Sequence, residues 1–407
     1  MRWFIFIIIY IVVDIYAFQA FRAITKLQWI HALYLIVSLA VLFNLIYRLS
    51  SMDRTQGFSP RLMYAFGFFL ALFVPKLILI VVMLGEDIVR FFIGLYSKFA
   101  SAGNTFDLPS RRKFISTIAL GIAAIPFASL IYGMYKGKYR YRVLTYQLFF
   151  EDLPKAFDGY RITQVSDIHS GSFDNHKKVA YAVDLINQQK SDILLFTGDL
   201  VNNVASEMHE WKDLFQTLKA PDGVLSVLGN HDYGDYVEWT SEAEKVKNLD
   251  DLKELQSAMG WDLLLNENRI LERNGERIAI VGVENWGAGG FKKAGDIDIA
   301  SKGLSSQDFK VVMSHDPSYW QEKIKSDPKN YQLTLSGHTH GMQFGIEIPG
   351  WVKWSPVQYR YKNWAGIYTE NNRHINVNRG LGYLGYPGRV GIWPEITVIE
   401  LKKGKLS

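Results

Sequence analysis

Cysteine is absent from the chain. That excludes a disulfide framework, a thiolate zinc site and a cysteine nucleophile, so any metal must be held by His, Asp, Glu, Asn or backbone oxygen. The absence fits either face of a membrane. Acidic charge is also scarce, but only in the first third. Residues 1–142 carry 16 Lys and Arg against 5 Asp and Glu, a net of +11, whereas residues 143–407 carry 29 against 35, a net of −6. The whole-chain +5 averages two unlike parts. A basic, apolar first part suits contact with anionic lipid. An acidic second part argues against a nucleic-acid partner, because such binders need positive charge to displace counterions from phosphates. At 407 residues the chain has room for two folded units.

Long apolar runs fill the first part. Four stretches, residues 3–18, 29–47, 63–84 and 114–135, suit a hydrocarbon core about 30 Å thick crossed at about 1.5 Å per residue. They predict a four-helix transmembrane module over residues 1–142. The first is short and contains Asp14, yet no small-residue cleavage site follows it, which disfavours a signal peptide. The third contains Pro75 and Lys76. Asp14 reads as lying near a span end, and Lys76 as snorkelling or pairing within the bundle. Between the third and fourth stretches, residues 86–102 place Ile88, Val89, Phe92, Ile93, Tyr96 and Phe99 near helical spacing. They predict an amphipathic helix on the membrane surface, the alternative being an extension of the third span.

Loop charges do not orient the module, because basic residues divide almost evenly between its two sides. Ser110-Arg111-Arg112-Lys113 before the last apolar run is similar to a twin-arginine export signal. If the export machinery reads it, the following domain of a bacterial inner-membrane protein faces outward. A plain basic flank is the alternative.

From about Val143 the pattern changes to short β-rich runs between amphipathic stretches. The runs 160–166, 192–197 and 223–228 are followed by Asp167-Ile168-His169, Gly198-Asp199 and Gly229-Asn230-His231-Asp232. The clusters recur about every thirty residues, the length of one βαβ unit. Successive parallel strands end on one side of their sheet, where ligand sites gather, so the three clusters are expected to converge. Two more follow later runs: His315 after 309–314, and Gly337-His338-Thr339-His340 after 331–336. Alternation along an extended chain lets Asp167 pair with His169, and His338 with His340, in one direction. Of nine histidines, only His31, His176, His209 and His374 fall outside these motifs, and they read as ordinary surface or interface residues. Carboxylate, amide and imidazole donors together suit manganese, iron or zinc better than calcium.

The ordered set Asp-x-His, Gly-Asp, Gly-Asn-His-Asp, His, Gly-His-x-His resembles the calcineurin-like metallophosphoesterase superfamily. Leu153-Pro154, Phe157-Asp158-Gly159, Arg379-Gly380-Leu381-Gly382, Arg389 and Pro394-Glu395-Ile396 resemble its membrane-anchored bacterial branch. The resemblance covers residues 143–402. It implies an α/β fold, a two-layer β-sandwich flanked by helices, with two divalent ions. One ion would be held by Asp167, His169, Asp199 and His340, the other by Asp199, Asn230, His315 and His338. His231 would stand over the leaving group, oriented by Asp232. Met342 departs from the pattern, since relatives commonly place a second glycine there.

Two cations sharing a water supply hydroxide near neutral pH. The expected reaction is in-line attack of that hydroxide on phosphorus, with His231 as general acid. The substrate is expected to be a phosphate ester or pyrophosphate, lipid-linked or a nucleotide-sugar. Membrane-anchored relatives suggest a UDP-2,3-diacylglucosamine pyrophosphatase of lipid A synthesis, which requires a cytoplasmic domain. A nuclease or cyclic-nucleotide phosphodiesterase is disfavoured by the acidic domain and the anchor. A non-catalytic scaffold on the same fold is disfavoured because no ligand position is lost. Between Phe344 and Glu370, Trp351, Trp354, Tyr359, Tyr361 and Trp364 interleave with Lys353, Arg360 and Lys362. That mixture suits a membrane–water boundary or a cover over the sheet edge. Arg379 and Arg389 are candidate phosphate clamps, or else structural ion-pair partners.

Overall fold

The computed structural model describes residues 2–99 and 108–405. The chain forms two compact units, Met1–Met52 with Arg61–Tyr135, and Asp53–Pro60 with Lys136–Ser407.

The first unit holds α1 (Arg2–Ile24), α2 (Gln28–Ser50), α3 (Pro60–Phe99) and α4 (Leu108–Tyr135). All four are long and apolar enough to cross a membrane. Because α1 runs on to Ile24, Asp14 sits in mid-helix rather than near an end. Its carboxylate lies 2.6 Å from Lys76 Nζ, with both side chains buried. It also accepts the hydroxyls of Tyr34 at 2.9 Å and Ser38 at 2.7 Å, while Lys76 donates to Tyr10 at 3.0 Å. Lys76 therefore pairs within the bundle instead of snorkelling, as a charge far from water must.

Residues 86–99 do not form a separate surface helix but continue α3, and 100–102 lie outside the described residues. Nothing in the sequence breaks the helix there, and Arg90 supports it by pairing with Glu86 one turn back. Glu86 also lies 3.6 Å from Arg111 and 3.1 Å from Arg112, which in turn pairs with Asp87. The twin arginines are thus engaged by two acids of α3.

The second unit is built on two mixed six-stranded sheets. One has the order β1–β14–β2–β3–β4–β5, and the other β12–β13–β9–β8–β7–β6. The first joins β1 (Arg142–Phe150), β2 (Arg161–Val165), β3 (Ile193–Phe196), β4 (Val224–Ser226), β5 (Asp262–Leu263) and β14 (Glu395–Lys403). The second joins β6 (Glu267–Arg273), β7 (Glu276–Gly282), β8 (Phe309–Met313), β9 (Leu333–Ser336), β12 (Gly366–Glu370) and β13 (Arg373–Val377). A separate antiparallel ribbon pairs β10 (Ile346–Ile348) with β11 (Val352–Trp354). The sheets meet face to face: Ile162, Ile193, Leu195 and Leu225 of one share a core with Ile278, Ile280, Val311 and Leu335 of the other.

Helices α5 (His176–Asn187), α6 (Lys212–Phe215), α7 (Glu242–Ala258), α8 (Ile297–Ala300) and α9 (Pro317–Glu322) flank the sandwich. Asn175 caps α5 by accepting the Lys178 amide, and Val179, Ala182, Val183 and Ile186 form its buried face at helical spacing. Beyond the second sheet, Val281, Val312 and Ile375 pack with Trp286, Tyr319 and Trp320. The chain has the α/β architecture expected of it, with four apolar helices preceding the sandwich.

Candidate metal centre

Strands β2, β3 and β4 run parallel, as do β8 and β9. Asp167, Asp199 and Asn230 follow the first three strands, and His315 and His338 the last two. The strand ends bring all five clusters into one buried basin. Two groups of ligand atoms lie there, each within 4.8 Å: Asp167, His169 and His340, then Asp199, His315 and His338. Asp199 Oδ2 is 3.1 Å from His315 Nε2 and 3.5 Å from His169 Nε2, so one carboxylate faces both groups. Asn230 Oδ1 lies 2.8 Å from His338 Nδ1.

The turns that deliver these side chains are unusual. Asp167 (φ 51°), His169 (φ 48°), Asp199 (φ 60°), His338 (φ 71°) and His340 (φ 49°) all adopt left-handed backbone. Such conformations cost about 1–3 kcal/mol each and persist only where the surroundings enforce them. Part of the enforcement is close approach. A Cβ on Gly229 would stand 2.2 Å from Asp199 Oδ1, and one on Gly337 2.2 Å from Asp167 Oδ2.

Electrostatics point to missing positive charge. Burial works against the charge on Asp167, but the His340 and His315 rings outweigh it and hold the carboxyl well below its usual range. Burial likewise opposes charge on His315, yet Asp199 pushes that imidazole up to about 10. Burial drives His169 down against the opposing pull of the Asp199 carboxylate. Both nitrogens of His169 and the Nε2 atoms of His315 and His340 are buried with no hydrogen-bond partner. Buried polar atoms rarely stay unsatisfied. Three of these orphaned nitrogens, Nε2 of His169, His315 and His340, converge on the Asp167 and Asp199 carboxylates and fit divalent cations.

Asp232 does not orient His231. Its carboxylate accepts the amides of Leu200, Gly229 and Asp199 at 2.8, 2.8 and 3.0 Å, tying two metal-motif loops together. Burial, with Asp199 nearby, pushes it up to about 7. His231 Nδ1 instead meets the Asn202 carbonyl at 2.7 Å. A carbonyl only accepts, so Nδ1 carries a proton and Nε2 is the nitrogen left to exchange one.

Arg379 and Arg389 are structural partners here rather than free clamps. Arg379 is buried between Glu395 and Glu347. Arg389 is fully buried, donates to the Arg379 and Gly382 carbonyls, and lies 3.1 Å from His340 Nδ1.

Some neighbours of the basin have no signature in the sequence. Tyr361 hydroxyl lies 2.7 Å from His338 Nε2, Tyr236 hydroxyl 2.8 Å from Asn230 Nδ2, and Asp316 Oδ2 3.4 Å from His338 Nε2. Asp316 directly follows His315 and precedes Pro317, a pattern that marks a helix cap, and it does cap α9. The aromatic segment 344–370 divides. Tyr361 belongs to the basin and Trp364 is buried, while Trp351 and Tyr359 remain 79% and 81% exposed.

Residues 160–342 match the family described as "Calcineurin-like phosphoesterase", and residues 1–138 match "Probable Calcineurin-like phosphoesterase, transmembrane domain". Over 253 residues the chain is 31% identical to the metallophosphoesterase YkuE of Bacillus subtilis, covering 61% of this chain and 82% of that protein. It belongs to the calcineurin-like metallophosphoesterases. Phosphodiesterase YaeI of Escherichia coli is 28% identical over 297 residues, 72% of this chain and 99% of YaeI. A transmembrane protein with a metallophosphoesterase domain from Danio rerio is 26% identical over 296 residues, 71% of this chain and 63% of the fish protein. The chain is accordingly a membrane protein carrying a metal-dependent phosphoesterase domain. The basin is where this calcineurin-like fold would take its divalent ions.

Proposed function

We propose that this membrane-anchored phosphoesterase hydrolyses a phosphate ester or phosphoanhydride of a lipid-linked or nucleotide-sugar substrate. The observation that carries the reading is the pair of ligand groups meeting at Asp199, with four buried imidazole nitrogens left unsatisfied. Asp167, His169, Asp199 and His340 would hold one ion. Asp199, Asn230, His315 and His338 would hold the other. When bound, the ions supply Lewis acidity at the phosphoryl oxygens and water activated near neutral pH.

The chain's own residues do the rest. Asp232 fixes the loops bearing Asp199 and Asn230, so the donors meet without rearrangement. His231, its Nδ1 proton committed to Asn202, acts as general acid in its imidazolium form, in which Nε2 carries the second proton and passes it to the departing oxygen. Tyr361 and Tyr236 place hydroxyls at His338 and Asn230, where they can donate to oxygens of a bound phosphoryl group. The thiol-free donor set favours manganese first, with iron or zinc as alternatives. The membrane spans favour a substrate that resides at, or is delivered to, a bilayer.

The test is a substrate screen on the full chain in detergent, loaded with manganese. It compares phosphomonoesters, diesters, nucleotide-sugars and phospholipid phosphates. Chelator-sensitive turnover strongest on a lipid-linked or nucleotide-sugar phosphate is expected. Metal-loaded protein inert towards every class would overturn the reading.

A further inference from the structure

The ribbon β10–β11 is built inside out. Glu347 pairs with Lys353 across the two strands, Ile346 with Trp354 and Ile348 with Val352. Alternation puts the polar pair on one face and the four apolar residues on the other. The polar face turns towards the body of the domain, where Glu347 binds Arg379 and Lys353 Nζ donates to the Ala365 carbonyl. On the apolar face Ile346 and Ile348 of β10 are open to solvent, while Val352 and Trp354 of β11 are half-buried. Ile346 is 51% exposed and Ile348 44%, and at the tip Trp351 is 79% exposed. A soluble sheet does the reverse, and a projecting apolar ribbon marks a contact surface.

Covalent connection says what that surface meets. Helix α4, the last membrane-spanning element, ends at Tyr135, and the next residue already belongs to the second unit. The linker is fixed there. A Cβ on Gly137 would stand 2.2 Å from the Arg389 carbonyl oxygen, and buried Lys138 pairs with Asp174 at 2.6 Å. Seven residues after Tyr135, Arg142 lines the same recess as Ile348, Trp351, Lys353 and Trp393. Seven residues span at most about 25 Å, so within this unit the ribbon lies near residues 136–142, the segment by which the chain continues from α4. Exposed Lys136, Arg140 and Arg142 lie on that path. The guanidinium carbons of Arg140 and Arg142 sit 4.8 and 5.8 Å from the Trp393 ring centre. Indole rings beside cationic side chains favour the headgroup layer, and each basic residue near an anionic leaflet adds about 1 kcal/mol. Glu347 is the opposing acid on the ribbon, and Arg379 neutralises it.

We infer that the β10–β11 ribbon is a second membrane contact of this chain, immersing Ile346, Ile348 and Trp351 in an anionic lipid surface while Arg140 and Arg142 engage its phosphates. The contact would hold the catalytic unit in one attitude on the bilayer, independently of the substrate it hydrolyses.

The absence of cysteine makes the test direct. Trp351→Cys in the full chain carries a single nitroxide, and Val246→Cys, on α7 and 51% exposed, is the reference. Both are reconstituted into vesicles of mixed phosphatidylcholine and phosphatidylglycerol. The label's accessibility to oxygen and to a water-soluble nickel chelate is then measured. The oxygen-to-nickel ratio should be several-fold higher at 351 than at 246. Arg140→Gln combined with Arg142→Gln should move the 351 label towards water. Equal aqueous exposure at both sites would overturn the inference. So would a 351 label shielded from both reagents, which would mean that protein covers the ribbon. A ratio unchanged by the double substitution would overturn the electrostatic half.

Discussion

Asp199 meets His315 and His169 through one oxygen, and its other oxygen accepts the His231 amide at 2.9 Å. Removing it takes away the donor shared by both ligand groups. Asp199→Ala should therefore lose bound metal, seen by elemental analysis of the purified chain, and lose turnover with it. Two ions retained at full activity would refute the assignment. His231 differs, because it touches the basin as a proton donor. His231→Ala should keep its metal yet lose about 10²–10⁴ in rate on substrates with poor leaving groups, and much less on a nitrophenyl ester whose leaving group needs no proton. Equal losses on both would remove the general-acid role.

Glu207 lies one layer back, with Oε2 accepting the Asn202 and Asn203 amides at 2.5 and 3.4 Å and so fixing the carbonyl that holds His231. Burial pushes its carboxyl from 4.5 up to about 7. A carboxyl raised by folding costs nothing while it is protonated in both states. The cost grows once the unfolded form ionises, and is complete above the folded value. Glu207→Gln should therefore match the parent near about pH 4 and exceed it by on the order of 2 kcal/mol near about pH 9. Thermal midpoints across that range check it, and a gain independent of pH would refute the cause.

Elements differ in how openly the sequence declares them. Strands β2, β3, β4, β8 and β9 are buried almost throughout, and they read as short, mainly apolar β-rich runs even though β2, β8 and β9 carry Gln164, Lys310 and Thr334 within them. The polar residue after each run marks a strand end, which is why the convergence of Asp167, Asp199, Asn230, His315 and His338 could be read without coordinates. Asn202 and Tyr361 could not be, since they come from loops, where no period links position to direction. Asp232 misled for a related reason: adjacency to His231 suggests contact, but in the turn that holds them successive side chains diverge. The long course of α3 was obscured because a change from uniform to one-sided apolar pattern does not by itself end a helix. Helices α1, α2 and α3 also share an element-scale device, the pair of Asp14 with Lys76. Breaking a buried ion pair typically costs about 3–5 kcal/mol, whereas replacing both partners by apolar residues is often neutral. Lys76→Met alone should sharply lower the melting point of the detergent-solubilised chain. Adding Asp14→Leu should restore most of it. If the single substitution were as benign as the double, the pair would contribute nothing.

At the scale of the whole molecule, each unit has its own core. Tyr10, Leu42, Leu45, Leu62 and Phe69 cluster in the first, and the sandwich core fills the second. The ligand residues all belong to the second, so metal should stabilise that unit alone. Binding at a concentration about a thousandfold above Kd adds about 4 kcal/mol, which for a domain of this size raises the midpoint by about 10 °C. Calorimetry of the full chain should show two transitions, with a chelator lowering one and leaving the other in place. If both moved together, the units would share one cooperative fold, and the anchor would take part in the chemistry's stability rather than only carrying it.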